Sequence, residues 1–95
     1  MGRSNRKGRD IDAALRKKGF SRDTSGDHVF YFFGKTRIIK TKMSHGMLGS
    51  TIGAGLIGDM AIQLRLSKEQ FLDLVDCTLD ADGYQEIIES LGDTQ

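Results

Sequence analysis

The spacing of apolar residues changes twice along the chain, from a helical pattern to a strand-like one and back. Near the start, Ile11, Ala14 and Leu15 share one face of a helix that begins at about Asp10. Gly19 follows this segment, as glycine often does at the end of a helix. The pattern predicts a first amphipathic helix.

The middle of the chain is rich in aromatic and β-branched residues, which favour strands. They fall into three runs, residues 20–24, 28–33 and 36–42. Ser25-Gly26 and Gly34-Lys35 separate the runs and suit tight turns. If both turns are two-residue loops, the three runs form an antiparallel sheet.

Helical spacing returns after a glycine-rich stretch, with a helix expected from about Ala54. Ser67 and Gln70 then match a capping box, and Asp80 can cap a last helix. The predicted order is αβββααα. This is an α+β domain with a three-stranded antiparallel sheet and helices on one face.

Charge is divided unequally between the two halves of the chain. Residues 1–42 carry twelve Lys and Arg against four Asp, whereas residues 43–95 carry two against nine acids. Residues 1–9 are basic and have no apolar side chain after Met1, so we expect a flexible arm before a single domain over residues 10–92. A polyanionic partner for the first half is the favoured interpretation. Neutralisation between the halves, within the chain or in a homodimer, is the alternative.

Several classes of protein are disfavoured. The single cysteine, Cys77, cannot form an internal disulfide, and with the two histidines it lacks the spacing of a metal site. Residues 53–58 match the letters of a dinucleotide-binding fingerprint, but no buried strand is predicted directly before them. The basic, glycine-rich start lacks the apolar core that a signal peptide has, so we expect none, and the sequence has no apolar run of about 18 residues. We therefore expect a cytoplasmic protein with no membrane span, metal or cofactor.

His28 is the strongest candidate for a functional residue, because it opens a strand among basic side chains. An imidazole exchanges protons near neutral pH, and Lys and Arg bind phosphates, so this combination indicates RNA chemistry. Two-residue loops would place His28 opposite Asp23 on one side and Thr41 on the other, with Asp23 orienting the ring. The alternative is an ordinary strand histidine. Aromatic residues lie on both faces of the strand, so the pattern leaves open which face is exposed.

Gly19-Phe20, Arg22 and Gly26-Asp27-His28, placed between a helix and strands, resemble the HicA family of ribonuclease toxins. Residues 40–46 and 71–77 resemble segments of a longer branch of that family. The resemblance implies a fold similar to the double-stranded RNA-binding domain and metal-independent cleavage of mRNA by means of His28. It also implies silencing by a HicB-type antitoxin. Family members usually have serine where Asp27 stands.

Other residues complete the predicted site. His45 is either a general acid or phosphate ligand, or a loop side chain that caps a backbone group. Arg22, Arg37, Lys40 and Lys42 are the predicted RNA-binding residues, although lysines on strands also prevent edge-to-edge aggregation.

The first functional hypothesis is an mRNA-cleaving endoribonuclease toxin. The second is a module that binds RNA without cutting it. The third is an interaction protein whose acidic second half binds a basic partner.

Overall fold

A computed structural model describes residues 5–34 and 39–91. In chain order these residues form β1 (Arg6–Lys7), α1 (Gly8–Lys17), β2 (Ser21–Asp23), β3 (His28–Phe33), β4 (Ile39–Ser44), a 3₁₀ helix (His45–Gly49), β5 (Thr51–Ile52), α2 (Ala54–Gln63), α3 (Lys68–Val75) and α4 (Ala81–Leu91). Strands β2, β3 and β4 form an antiparallel sheet in that order, which confirms the predicted α+β class. The short strands β1 and β5 pair separately and were not predicted.

The segment before α1 is more structured than the sequence suggests. β1 pairs antiparallel with β5, and α1 begins at Gly8, two residues before its expected start. Gly8 donates its backbone N–H to the Ser50 carbonyl at 2.8 Å, and a Cβ atom at this position would overlap the Met47 carbonyl oxygen. Residues 6–9 therefore belong to the fold rather than to the predicted flexible arm, while residues 1–4 lie outside the described residues.

The predicted starts of the later helices are confirmed. α2 begins at Ala54. Ser67 accepts a hydrogen bond from the Gln70 N–H at 3.1 Å, and the Gln70 side chain accepts one from the Ser67 N–H at 2.9 Å, which completes the capping box of α3. Asp80 accepts from the Gly83 N–H at 2.8 Å at the start of α4. These starts depend on contacts within a few residues, which is why the sequence predicts them well.

The predicted register of the sheet is wrong at both hairpins. On one side of β3, His28 does not face Asp23, because Asp23 pairs with Phe30. The Asp23 carboxylate accepts from the Ser25 N–H at 2.9 Å and from its hydroxyl at 2.6 Å, so a local turn lengthens the loop to residues 24–27. The loop is two residues longer than expected.

On the other side of β3, the observed pairs are Phe33 with Ile39 and His28 with Ser44. The pairing is shifted by three positions from the expected pair of His28 with Thr41. Because side chains alternate between the faces of a strand, an odd shift exchanges the two faces of β4 relative to β3. The first part of the predicted third strand, residues 36–38, lies outside the described residues.

One face of the sheet packs against the helices and forms the core. Its buried side chains are Val29, Tyr31, Ile39, Thr41 and Met43. The Tyr84 ring of α4 lies 4.7 Å from the Phe33 ring and 5.5 Å from the Phe20 ring, measured between centroids. We call this side of the sheet the covered face.

A buried carboxylate joins α1 to the covered face. Asp12 is 6% exposed and accepts hydrogen bonds from the Tyr31 hydroxyl at 2.6 Å and from Arg22 at 3.0 Å. It also forms an ion pair with Arg16 at 3.2 Å. Burial, and secondarily the bond to Asp12, raise the pKa of Tyr31 above its ordinary value. The phenol therefore remains a donor to the carboxylate.

Among the described residues, no helix combines the length and apolar character needed to cross a membrane.

Candidate functional site

The opposite side of the sheet is more exposed than the covered face, and we call it the open face. From β3 and β4 it carries the side chains of His28, Phe30, Phe32, Lys40, Lys42 and Ser44, and from β2 those of Ser21 and Asp23. Directly paired residues of antiparallel strands share a face, and the pairs here are Phe30 with Lys42, Phe32 with Lys40 and His28 with Ser44. The two lysines are exposed and the three rings are half-buried. The exposed face of β3 is therefore the one that carries His28, Phe30 and Phe32.

The three rings form a continuous row along β3. The centroids of His28 and Phe30 are 6.3 Å apart with their planes at 62°, and those of Phe30 and Phe32 are 6.0 Å apart at 17°. Half-exposed rings beside lysines are the components of a surface that stacks nucleobases and binds phosphates. The sequence shows these aromatic residues but not the face on which they lie.

His45 lies at the same end of the sheet as His28, since it directly follows Ser44, the partner of His28. Its Nε2 donates a hydrogen bond to the Gly26 carbonyl at 2.9 Å. The capping role that the sequence left open is therefore present. With Nε2 protonated in this bond, Nδ1 is the ring nitrogen left for proton exchange.

The predicted partnership of Asp23 with His28 is wrong. Asp23 shares the open face but lies opposite Phe30, and its carboxylate is engaged by Ser25. The two-residue hairpin on which the prediction depended does not form, for the reason given above.

Arg22, another predicted RNA-binding residue, does not join this group. Arg22 pairs with Tyr31 across the strands, so its side chain lies on the covered face, where it bonds to Asp12. The guanidinium pairs with a buried carboxylate that would be costly to leave without a partner. Arg37 lies outside the described residues.

A cleft opens at the outer edge of β4, beside the row of rings. It measures about 310 Å³ and is lined by Phe30, Lys40, Thr41, Lys42 and Gln63. The Thr41 hydroxyl donates to Gln63 Oε1 at 2.6 Å. Gln63, the last residue of α2, was not identified from the sequence, because nothing local shows that the end of α2 meets the edge of β4.

Acidic, cysteine and histidine side chains do not converge in groups of three or more anywhere in residues 5–34 and 39–91. Comparison of the chain with protein-family models, with curated proteins and with solved structures finds no match in any of the three. The function must therefore be inferred from the residues of the open face.

Proposed function

We propose that the protein is an endoribonuclease that binds mRNA on the open face and cleaves it without a metal ion. One observation carries the proposal: His28 lies on the same face as a row of aromatic rings and two exposed lysines. This places a proton-transfer group beside groups suited to bases and phosphates. The resemblance to HicA toxins agrees with it.

The reaction uses a nucleophile that RNA itself provides. His28 takes the proton of a ribose 2′-hydroxyl, whose oxygen attacks the adjacent phosphorus. The bond from phosphorus to the 5′-oxygen breaks, and an acid protonates the departing oxygen, leaving a 2′,3′-cyclic phosphate and a 5′-hydroxyl. Because the nucleophile is internal, a positioned base and acid suffice, and such proton transfer contributes about 10²- to 10⁴-fold in rate.

His45 is the candidate for the acid, because it lies at the same end of the sheet as His28. Its Nε2–H is held by the Gly26 carbonyl, so it acts as the imidazolium, which gives its second proton, on Nδ1, to the departing oxygen. Lys40 and Lys42 are exposed and bind the flanking phosphates. A lysine near the reacting phosphate also stabilises the negative charge that builds up on its oxygens.

We extend the proposal to the setting of the activity. An mRNA-cleaving toxin acts in the cytoplasm and must be silenced there, and a HicB-type antitoxin is the partner expected. A protein that covered the open face would block the bases, the phosphates and His28 together.

The decisive experiment measures cleavage and binding of RNA by the purified protein in the presence of EDTA. We expect His28→Ala to lower the cleavage rate by about 100-fold or more while RNA affinity changes little. Asp27→Ala is the matched control, because Asp27 is exposed and adjacent in sequence, and it should retain activity. Products of the wild type should end in a 2′,3′-cyclic phosphate. Equal cleavage by wild type and His28→Ala would refute the assignment of His28.

A second candidate function is RNA binding without cleavage. It is favoured by the row of rings and the lysines, which constitute a binding surface whether or not His28 transfers a proton. Binding by the wild type with no cleavage of any RNA, with or without EDTA, would favour this function over the first.

A further inference from the structure

The cleft at the outer edge of β4 combines three kinds of group that recognise a nucleotide. Phe30 offers a ring face, Gln63 offers amide donors, and Lys40 and Lys42 offer positive charge. Its volume of about 310 Å³ is at the lower end of the range for small-molecule sites, about 300–1,000 Å³. The cleft therefore suits a small group such as one base with its sugar.

The orientation of Gln63 is fixed by a contact from the sheet. Thr41 is 2% exposed, and its hydroxyl donates to Gln63 Oε1 at 2.6 Å. The oxygen of the amide is thus engaged on the buried side, and its two N–H donors are the atoms left to meet a ligand. Gln63 itself is exposed. The Gln63 amide can therefore donate hydrogen bonds to a ligand that carries an acceptor atom.

Phe30 lies between the cleft and the candidate catalytic histidine. Its ring contacts His28 on one side along the row and lines the cleft together with Gln63. A base stacked on Phe30 would therefore belong to a nucleotide next to the bond that is cleaved with His28 as the base. Bases in a duplex are stacked on each other and have no free face, so only an unpaired base can use this ring.

We propose that this cleft is a subsite for one unpaired RNA base next to the cleaved bond. The base stacks on Phe30, Gln63 donates to an acceptor on its edge, and the lysines hold the neighbouring phosphates. The inference depends on the proposed function, since it assumes that RNA lies on the open face. It adds that the substrate is single-stranded and that Gln63 determines which base is preferred.

The first test measures RNA binding by the His28→Ala protein, so that cleavage does not disturb the measurement. The probes are a single-stranded 12-mer and the duplex formed with its complement. We expect tighter binding of the single strand and a loss of about 10-fold or more in its affinity when Phe30→Leu is added, because stacking on the ring is removed. Phe32→Leu is the matched control, and its effect should be smaller because Phe32 does not line the cleft.

The second test measures base preference. Cleavage by wild type and by Gln63→Glu is measured on four 12-mers that differ only in the base next to the cleaved bond. Thermal unfolding verifies that the variant is folded. Glutamate has acceptors where glutamine has donors, so we expect preference to move toward bases with an exocyclic amino group. Gln85→Glu, on α4, is the control and should leave the preference unchanged.

The outcomes separate this inference from the proposed function. No binding of either probe by the His28→Ala protein would contradict RNA binding on the open face. Binding of the duplex as tightly as the single strand, with no effect of Phe30→Leu, would overturn the subsite and leave the proposed function standing. An unchanged base preference in folded Gln63→Glu would overturn the role of Gln63.

Discussion

The two faces of the central sheet are built from alternating residues of the same strands, yet they differ in burial and in the partners of their side chains. Tyr31 on the covered face is fully buried and bonded to Asp12, whereas its neighbour Phe30 on the open face is half-exposed and lies beside Lys42. Adjacent residues of one strand therefore serve different purposes: those on the covered face stabilise the fold, and those on the open face carry the proposed function. Substitutions on the covered face should lower stability and leave RNA binding almost unchanged. Substitutions on the open face should weaken RNA binding and leave stability almost unchanged.

The largest effect is expected on the covered face, at Asp12. Asp12→Ala removes the carboxylate that accepts from Tyr31 and pairs with Arg22 and Arg16, which leaves the buried Tyr31 hydroxyl without its acceptor and the two partly exposed arginines without their ion pairs. The bond from the buried Tyr31 hydroxyl contributes about 1.5–3 kcal/mol, and the ion pairs with the partly exposed Arg16 and Arg22 add less than about 1 kcal/mol each. We therefore expect a loss of about 2–4 kcal/mol. Urea unfolding should show this decrease in the free energy of unfolding. Asp27→Asn, at an exposed position, should change it by less than about 0.5 kcal/mol, and a similar small change for Asp12→Ala would contradict the described network.

Alkaline pH should destabilise the covered face next. Burial raises the pKa of both Tyr31 and Tyr84 above their ordinary value of about 10. The folded protein therefore keeps two phenol protons that the unfolded chain has lost, so stability is fully present below pH 10 and falls as the pH rises further. The expected slope is about 1.4 kcal/mol per pH unit for each tyrosine. Urea unfolding at several values above pH 10 measures it, and a flat profile would be the contrary result.

Tyr31→Phe should produce a somewhat smaller effect and test the separation of the faces directly. It removes the hydroxyl that donates to Asp12 at 2.6 Å. Hydrogen bonds to charged groups contribute about 1.5–3 kcal/mol, and this much stability should be lost in urea unfolding. RNA affinity, measured at a temperature where the variant is folded, should not change. A substantial loss of affinity would show that the two faces are coupled.

The smallest effect on stability is expected for the open-face lysines. Lys40→Ala and Lys42→Ala should each change the free energy of unfolding by less than about 0.5 kcal/mol. Each should also reduce the salt dependence of RNA binding by about one unit of slope, because one phosphate contact is lost. Arg22→Ala is the contrast: its guanidinium is bonded to Asp12 on the covered face, so stability should fall while the salt slope stays the same. Unchanged stability with a reduced salt slope for Arg22→Ala would instead support the prediction from the sequence that Arg22 binds RNA.

Much of the fold was predictable because it depends on short-range signals. Residues a few positions apart determine the start of α3, at the capping box of Ser67 and Gln70, and the start of α4, which Asp80 caps. The same is true of the strand character of β3. The short pair of β1 with β5 was missed, because it joins segments about 45 positions apart and neither has a strand pattern of its own. Its two residues on each side carry too little information.

The candidate site was predictable only in part, and the register explains why. With the predicted register, Lys40 would face Val29 and lie on the side opposite His28. In the observed register, Lys40 pairs with Phe32 on the same face as His28. A shift by an odd number of residues in the second hairpin therefore decides whether the lysines and the histidine form one surface.

The sequence by itself determined the class of fold, the helix starts set by caps, the order of helices α1 to α4 and of strands β2 to β4 of the main sheet, and the presence of a histidine among basic and aromatic residues. Only the tertiary structure decided which face is open, that Asp12 holds Arg22 and Tyr31, and that Gln63 meets the edge of β4. The physical reason is distance along the chain. Caps and periodicity act within a few residues, whereas register and burial are set by contacts between segments that only the folded chain brings together.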